Sequence, residues 1–376
     1  MQTDDATSAV LRSVGLTDDR ITAVTPLTGG TFNAVTRVTL TDGGDWVVKI
    51  PPPATDGTLM SYERDLLVNE VEFCTRAGAP DVVPRVLHSE LDPTAPTGPF
   101  VIMSACPGRP WSALTNATAE HTERTTAGHT TSEHTTSEHT TAGHTTAGHT
   151  TVEHAEHTVT DAEERRLRNE LGRIVARLHS VAGPGGFGYP AGALGPLSPT
   201  WRQAFTAMTD AVLADADTYR ARLPRPTAAI RAVLADASPV LDDVTRPALV
   251  HFDLWQGNLL VAGEPGARTI GGIIDGERMF WGDPVADFVS LALFTDIQED
   301  EDFLAGYGAG RGQPVVFDAS ARLRLALYRC YLYLIMLVET VPRRVPQDHL
   351  DWAWKEVGPQ LESALDNVES ALRARG

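Results

Sequence analysis

Between His121 and His157 the chain repeats a five-residue unit, as in Thr131-Ser132-Glu133-His134-Thr135 and Thr141-Ala142-Gly143-His144-Thr145. Five is neither the helical nor the strand period, and the unit carries almost no apolar side chain to bury. Such a segment cannot offset the entropy of ordering its backbone. It reads as a disordered surface insertion, so whatever packs must lie on either side of it. Eight of the twelve histidines fall here. A histidine-rich metal tract is the alternative use of that composition, but no catalytic residue is expected in it.

The two flanks differ in kind. Before the repeat, Ile21–Val24, Ala34–Leu40 and Trp46–Ile50 are β-rich, and Thr41-Asp42-Gly43-Gly44 marks a hairpin turn. Ser61 is placed to cap a helix running to about Arg76, and Phe100–Met103 is a further short strand ended by Cys106-Pro107-Gly108. After the repeat, Leu167, Leu171, Ile174, Val175 and Leu178 share one face of a helix from Asp161 to His179. Further helices are expected over Trp201–Arg222, Thr227–Ala235, Pro284–Thr295, Asp318–Glu339 and Asp348–Arg373. The stretch Ala248–Asp283 reads as strands with turns, and the glycine-rich Gly306–Gly312 as a linker. Strands first and helices later give an α+β fold of two unequal lobes. The expected divisions are a β-rich unit over 1–103, a connector over 104–110, a linker with the repeat over 111–160, and a helical unit over 161–376.

The chemistry concentrates in His251-Phe252-Asp253-Leu254-Trp255-Gln256-Gly257-Asn258, followed by Ile273-Ile274-Asp275. Phosphoryl transfer to a hydroxyl needs a carboxylate to orient and deprotonate the acceptor, and oxygen ligands to hold Mg2+ against the phosphates. Asp253 supplies the base, and Asn258, five residues on, a metal ligand. Asp275 ends an apolar strand joined to the first through a turn at Gly263–Gly266. A hairpin there brings Asn258 and Asp275 to the same end of the site, where one ion takes both.

These residues resemble the aminoglycoside phosphotransferase and choline kinase-like branch of the protein-kinase-like fold. That family writes its catalytic loop as His-x-Asp-x-x-x-x-Asn, here His251 to Asn258, and its metal aspartate as Ile-Asp, here Ile274-Asp275. The resemblance implies a two-lobe kinase fold with a small antiparallel sheet and one helix in the N-lobe, a mainly helical C-lobe, and a structural place for His251. Phe252 stands where protein kinases carry arginine, and no Ala-Pro-Glu follows, so a protein substrate is not expected. Asp283 and Asp287 match the segment that follows the metal aspartate, and Leu178-His179-Ser180 matches the family's helix end after the hinge.

ATP is the expected cofactor beside Mg2+. Thr28-Gly29-Gly30-Thr31-Phe32-Asn33 lies between two strands, where glycines let backbone N–H groups approach phosphate oxygens. Gly29, Gly30, Thr31 and Asn33 are the candidates there, although a Gly-Gly pair in a hairpin is also an ordinary turn. No Gly-x-x-x-x-Gly-Lys-Ser/Thr exists, which excludes a P-loop enzyme. Lys49, at the end of an apolar strand, is placed to reach the phosphates; it is one of only two lysines in the chain. Its carboxylate partner is expected to be Glu70, which lies among Leu66, Leu67, Phe73 and Cys74, rather than Glu72, whose neighbours are mostly polar. Phe100–Cys106 resembles the family's hinge, which assigns adenine contacts to the main chain of Ser104 and Cys106. Met103 either lines that pocket or is ordinary core.

The acceptor is less legible. Trp255 and Trp281 could stack on a sugar face, and Glu277 is close enough to the metal site to touch an acceptor. The run Asp296, Glu299, Asp300, Glu301, Asp302 either attracts an amine or is a solvated helix end. The wording around Asp253 and Asp275-Gly276-Glu277-Arg278 looks most like bacterial glucosamine kinases, which implies an amino sugar phosphorylated at its primary hydroxyl; an aminoglycoside kinase is the alternative, and a non-catalytic nucleotide-binding scaffold a remote one. With 49 acids against 31 bases the net charge is −18, which disfavours nucleic acid and anionic membrane as partners. The three cysteines are far apart and odd in number, and Met-Gln-Thr-Asp-Asp lacks the character of a signal peptide, so a cytoplasmic protein is expected.

Overall fold

The computed structural model describes residues 5–27, 33–52, 59–77, 81–115 and 159–374; the repeat and the candidates Gly29, Gly30 and Thr31 lie outside the described residues. Helix α1 (Asp5–Ser13) is followed by strands β1 (Ile21–Leu27), β2 (Ala34–Leu40) and β3 (Asp45–Ile50), then α2 (Leu66–Arg76), β4 (Val86–Glu90) and β5 (Phe100–Ser104). The strands form one antiparallel sheet of order β1-β2-β3-β5-β4. Strand alternation turns Val38, Val48, Phe100 and Ile102 onto Val10 and Leu11 of α1, a helix the sequence reading did not single out. The opposite face presents Val101 and Met103 to Leu67 and Val71 of α2.

The helix expected from Ser61 is broken. Ser61–Glu63 form a 3-10 turn, Asp65 takes a left-handed backbone with φ 62°, and α2 begins only at Leu66. Ser61 is therefore not a cap: its N–H and hydroxyl both donate to Asp215 (2.7 and 2.6 Å). Glu63 accepts from the Met60 N–H (2.8 Å) and pairs with Arg343. The entry to α2 is thus fastened to the helical body rather than to the sheet.

A short strand β6 (Arg109–Pro110) leads from the sheet, and the described helical body opens with α3 (Asp161–Leu178), α4 (Trp201–Tyr219) and α5 (Thr227–Ala237). Thr160 caps α3 by accepting from the Glu163 N–H, while the Glu163 carboxylate returns to the Thr160 N–H. Strands β7 (Ala248–Val250), β8 (Leu259–Ala262), β9 (Thr269–Ile273) and β10 (Phe280–Gly282) follow, with β8–β9 the expected hairpin and β7 paired to β10. Gly263 and Gly266 turn that hairpin at φ 95° and 86°. Last come α6 (Asp287–Leu291), α7 (Glu301–Arg311), α8 (Ala319–Val338), α9 (Gln347–Trp352) and α10 (Gly358–Arg373), with a π-helical turn over Ala353–Val357 interrupting what the sequence suggests is one helix. Helix α8 runs through the core, where Tyr328 and Tyr331 meet Trp201, Phe205 and Phe252. Among the described residues no helix is long and apolar enough to cross a membrane.

The glycines taken for a linker are helical instead. Gly306 lies in α7, where an added Cβ would stand 2.0 Å from the Asn169 carbonyl of α3; at Gly172 of α3 it would stand 2.2 Å from the Phe303 carbonyl. Backbone carbonyls cannot swing away, so bare glycines are what let these two helices touch. The acidic run sits at the start of the same helix: Asp300 accepts from the Phe303 N–H (3.0 Å) and pairs with Arg168, a structural helix end. Gly306→Ala should therefore lower stability by about 1–3 kcal/mol through overpacking, read as a lower urea midpoint with an unchanged slope.

Candidate active site

The loop between β7 and β8 is shaped by one buried carboxylate. Asp287, at the start of α6, accepts the N–H groups of His251 (3.1 Å) and Phe252 (2.6 Å), and Ser290 accepts that of Leu254 (2.9 Å). Asp287 also faces His179 Nε2 (2.8 Å), whose Nδ1 meets the Tyr307 hydroxyl (2.8 Å). Phe252 adopts φ 63°, an unfavourable backbone for a bulky residue, and its fully buried ring packs on Phe280 and Tyr331. The resulting bend turns Asp253 outward.

His251 fastens the loop at its other side. Its Nδ1 accepts from the Asp253 N–H (3.2 Å), so Nε2 carries the proton donated to the Ile274 carbonyl (3.0 Å). Burial pushes its pKa down, which fits a neutral ring in that tautomer. Asn258 Nδ2 donates to both the carbonyl and Oδ2 of Asp253 (3.0 Å each), and the Asn258 carbonyl accepts from the Ile274 N–H (3.0 Å). The hairpin register thereby sets Asn258 across from Ile274 and next to Asp275, which takes φ 66°.

Lys49, buried at 6% exposure, donates to Glu70 (2.6 Å) and to Asp275. Burial alone would pull its ammonium down, but Asp275, Glu70 and Glu277 hold it well above the usual lysine range. Burial likewise works to raise Asp275, and Lys49 more than reverses it. Glu72 turns instead to Arg76 (3.1 Å), so Glu70 is the glutamate that faces Lys49. Glu277 joins this cluster: one oxygen each from Glu70, Asp275 and Glu277 lie within 4.8 Å of one another. Asn33 donates to its carboxylate (2.6 Å) and Asn69 to its carbonyl (3.1 Å). Burial first, and then Asp275, pushes Glu277 up to about 8.

Asp253 has its pKa raised, chiefly by burial, against the opposing charge of Arg278. Arg278 Nε stands 4.0 Å from Asp253 Oδ2 and continues through Glu339 (2.8 Å) to Arg343 (3.2 Å) and Glu63. The sequence reading does not single out Arg278; its signal is an arginine three residues beyond Asp275 in a segment too apolar for a surface cation. Of the remaining candidates, Met103 is 2% exposed and packs on Leu67 and Cys74, a core position. The Ser104 N–H already donates to the Arg85 carbonyl (2.9 Å), so a ligand there would meet its carbonyl. Cys106 is half-buried against Gly272. Trp255 is 43% exposed and folds over Gly257. Trp281 corrects the reading: it is fully buried in β10 against Pro247 and Gly183, where no acceptor can stack on it. Mg2+ suits the donors present, since Asn258 keeps its amide oxygen while its nitrogen is spent on Asp253, and Asp275 adds a second hard oxygen.

The family model of the phosphotransferase enzyme family matches residues 23–133 and 144–326. The chain belongs to that family. It is a small-molecule kinase, and the kinase-like two-lobe α+β fold expected from the sequence stands. Among solved structures it is similar to the proposed fructosamine-3-kinase of Thermobifida fusca (18% identity, 99% of this chain and 100% of that one, TM-score 0.58). It is also similar to aminoglycoside phosphotransferase APH(4)-Ia in complex with AMP-PNP and hygromycin B (13%, 98% of each chain, TM-score 0.54). A third is macrolide 2'-phosphotransferase MphH of Brachybacterium faecium (19%, 94% of this chain and 98% of that one, TM-score 0.52). No curated protein matches the chain.

The buried Glu277 sets a pH dependence of stability. With its pKa moved from 4.5 to about 8, the folded protein holds a proton that the unfolded chain releases between those values. Stability therefore falls as pH rises through that window. Glu277→Gln removes this slope, so the melting temperature of the variant minus that of the parent, free of nucleotide and metal, should grow from about pH 4.5 to about pH 8 and level off above it.

Proposed function

We propose that this phosphotransferase moves the γ-phosphate of ATP to a hydroxyl of an amino sugar, with glucosamine and its primary hydroxyl as the specific reading. The observation that carries the reaction is the pair of contact sets Glu70–Lys49–Asp275 and Asp253–Asn258, which the β8–β9 hairpin brings to one edge. In this reading Lys49, oriented by Glu70, binds the α- and β-phosphates, and the segment from Gly29 to Asn33 covers them. The carbonyl of Ser104 and the main chain of Cys106 hold the purine. Asn258 and Asp275 hold Mg2+, which when bound neutralises phosphate charge. Asp253 accepts a hydrogen bond from the acceptor hydroxyl, aligns it for in-line attack and takes its proton. Burial raises the basicity of that carboxylate, and the charge of Arg278 opposes the rise.

The acceptor assignment rests on weaker support: the resemblance around Asp253 and Asp275, and the likeness to a proposed fructosamine-3-kinase, whose name denotes an aminated sugar. Trp255, exposed beside Asp253, is the candidate platform for a sugar face, and Glu277 lies on the metal side. The likeness to phosphotransferases bound to hygromycin B and to kanamycin favours a second reading, an aminoglycoside acceptor.

Asp253→Asn should lower kcat by roughly 100- to 10,000-fold while the affinity for Mg·ATP stays near the parent value; full turnover with bound nucleotide would remove Asp253 from its role. ADP release against glucosamine, glucose, maltose, choline and several aminoglycosides decides the acceptor, with glucosamine expected to lead. Turnover with aminoglycosides alone would transfer the assignment to the second reading.

A further inference from the structure

Leu66, Asn69, Glu70 and Phe73 share one buried face of α2. Leu66 and Phe73 pack in the core, and Glu70 holds Lys49 (2.6 Å). Asn69 is the odd member, a neutral amide with no exposure. A polar side chain is costly there unless its hydrogen bonds are made, and leucine would fill the position without that cost.

Asn69 makes its bonds to two other segments. Its Nδ2 donates to the Glu277 carbonyl (3.1 Å), and its Oδ1 accepts the N–H of Ala191 (3.0 Å), in the loop between α3 and α4. These partners fix the orientation of the amide, since a carbonyl needs a donor and an N–H an acceptor. The same loop is tied to β10, where Gly188 and Trp281 exchange N–H bonds (2.8 and 3.0 Å). The short turn Gly276–Arg278, which leads into β10, is therefore held by α2 and by that loop through one amide.

That turn carries two groups of the site. Asp275 precedes it with a left-handed backbone, φ 66°, and Arg278 ends it, 4.0 Å from Asp253. Phe73, one helical turn beyond Asn69, presses on its first residue: a Cβ at Gly276 would stand 2.4 Å from the Phe73 ring. The ring also meets His251 edge-on at 4.8 Å. Packing on Gly276 sets how near the turn lies to α2. The bond from Asn69 is directional, so it sets how the turn is rotated about that contact.

We propose that Asn69 is a positioning residue for phosphoryl transfer, which orients the turn after Asp275 so that this carboxylate faces the metal and Arg278 faces Asp253. The proposal rests on the reading of Asp275 as a metal ligand. Without the amide, the Glu277 carbonyl and the Ala191 N–H lose this partner, and the turn must shift to regain one.

Mn2+, a hard divalent stand-in for Mg2+, tests this without an acceptor: its binding to the full chain with ADP is read from the electron paramagnetic resonance of free Mn2+. Asn69→Leu, which keeps the volume but neither bond, should weaken Mn2+ roughly tenfold while metal-free ADP binds within roughly twofold of the parent. Asn69→Ala leaves room for a water to bridge the two backbone groups, so it should weaken Mn2+ by a smaller factor, about threefold, and it supplies the measurement should the leucine variant not fold. Asp275→Asn should weaken Mn2+ more than either. Arg225→Ala, which cuts the bonds to Glu362, Asp366 and Glu369 on α10, should lower the melting temperature and leave Mn2+ binding alone. Asn69 variants that melt lower yet bind Mn2+ like the parent, beside a weakened Asp275→Asn, would overturn this proposal alone. Parent-like binding by Asp275→Asn as well would overturn the metal reading and this proposal with it. An equal loss of metal-free ADP affinity, or an equal loss of Mn2+ in Arg225→Ala, would trace the effect to general loosening and also overturn it.

Discussion

Asp287 is the group on which the catalytic geometry depends. Its two oxygens accept the successive N–H groups of His251 and Phe252, and His179 satisfies the carboxylate from behind. A carboxylate with no exposure is tolerated only when its lone pairs are filled, and here backbone and imidazole fill them. In return it holds Phe252 in a backbone conformation that the residue would otherwise leave. That conformation sends the Phe252 ring into the core and Asp253 away from it, so the direction of the carboxylate proposed as the base is set by packing and hydrogen bonds outside it.

Downstream of that turn, charge takes over from packing. Asp253, Asp275, Glu277 and Glu70 crowd into one region with Lys49 and Arg278 as the cations beside them. Burial of so many acids would drive them to protonate, and three of them are indeed shifted upward by it, Glu70, Asp253 and Glu277. Asp275 escapes because Lys49 sits against it. The site is thus graded: Asp275 is held toward its anion, while Asp253 is the more basic carboxylate, which suits the separate roles proposed for them. A uniform set of acids could not serve both tasks.

Much of this was legible in the sequence because spacing and local chemistry agree. The turn at Gly263–Gly266 and its flanking apolar residues imply the hairpin that brings Asn258 beside Asp275, and the apolar neighbours of Glu70 distinguish it from Glu72. What stayed hidden depends on partners distant in sequence. Nothing near Ser61 tells that Asp215 will take its hydroxyl, and the local serine signal then wrongly reads as a helix cap. Gly306 and Gly310 look like linker glycines until α3 lies against them, because tertiary contact and not propensity makes a bare helix face useful there. Trp281 shows the converse limit: sequence proximity to Asp275 says nothing about which way a strand residue faces, and β10 turns this one inward. Arg278 was missed since its carboxylate partners come from residues 253 and 339, far apart along the chain.

The attachments of α2 bear on how the two lobes work together. Ser61 is bound to Asp215, the Leu59 carbonyl to Tyr219, Glu63 to Arg343, and Asn69 to Glu277 and to the Ala191 N–H. Every one of these partners lies in the helical body. The sheet meets α2 through a small apolar patch of Leu67, Val101 and Met103. Glu70 thus sits on a helix fastened to the helical body, whereas Lys49 lies in the sheet. The Lys49–Glu70 pair, together with Asn33–Glu277, then joins the sheet to the helical body and the helix fastened to it. Because Lys49 also meets Asp275, one ammonium bridges Glu70 of α2 and Asp275 of the helical body.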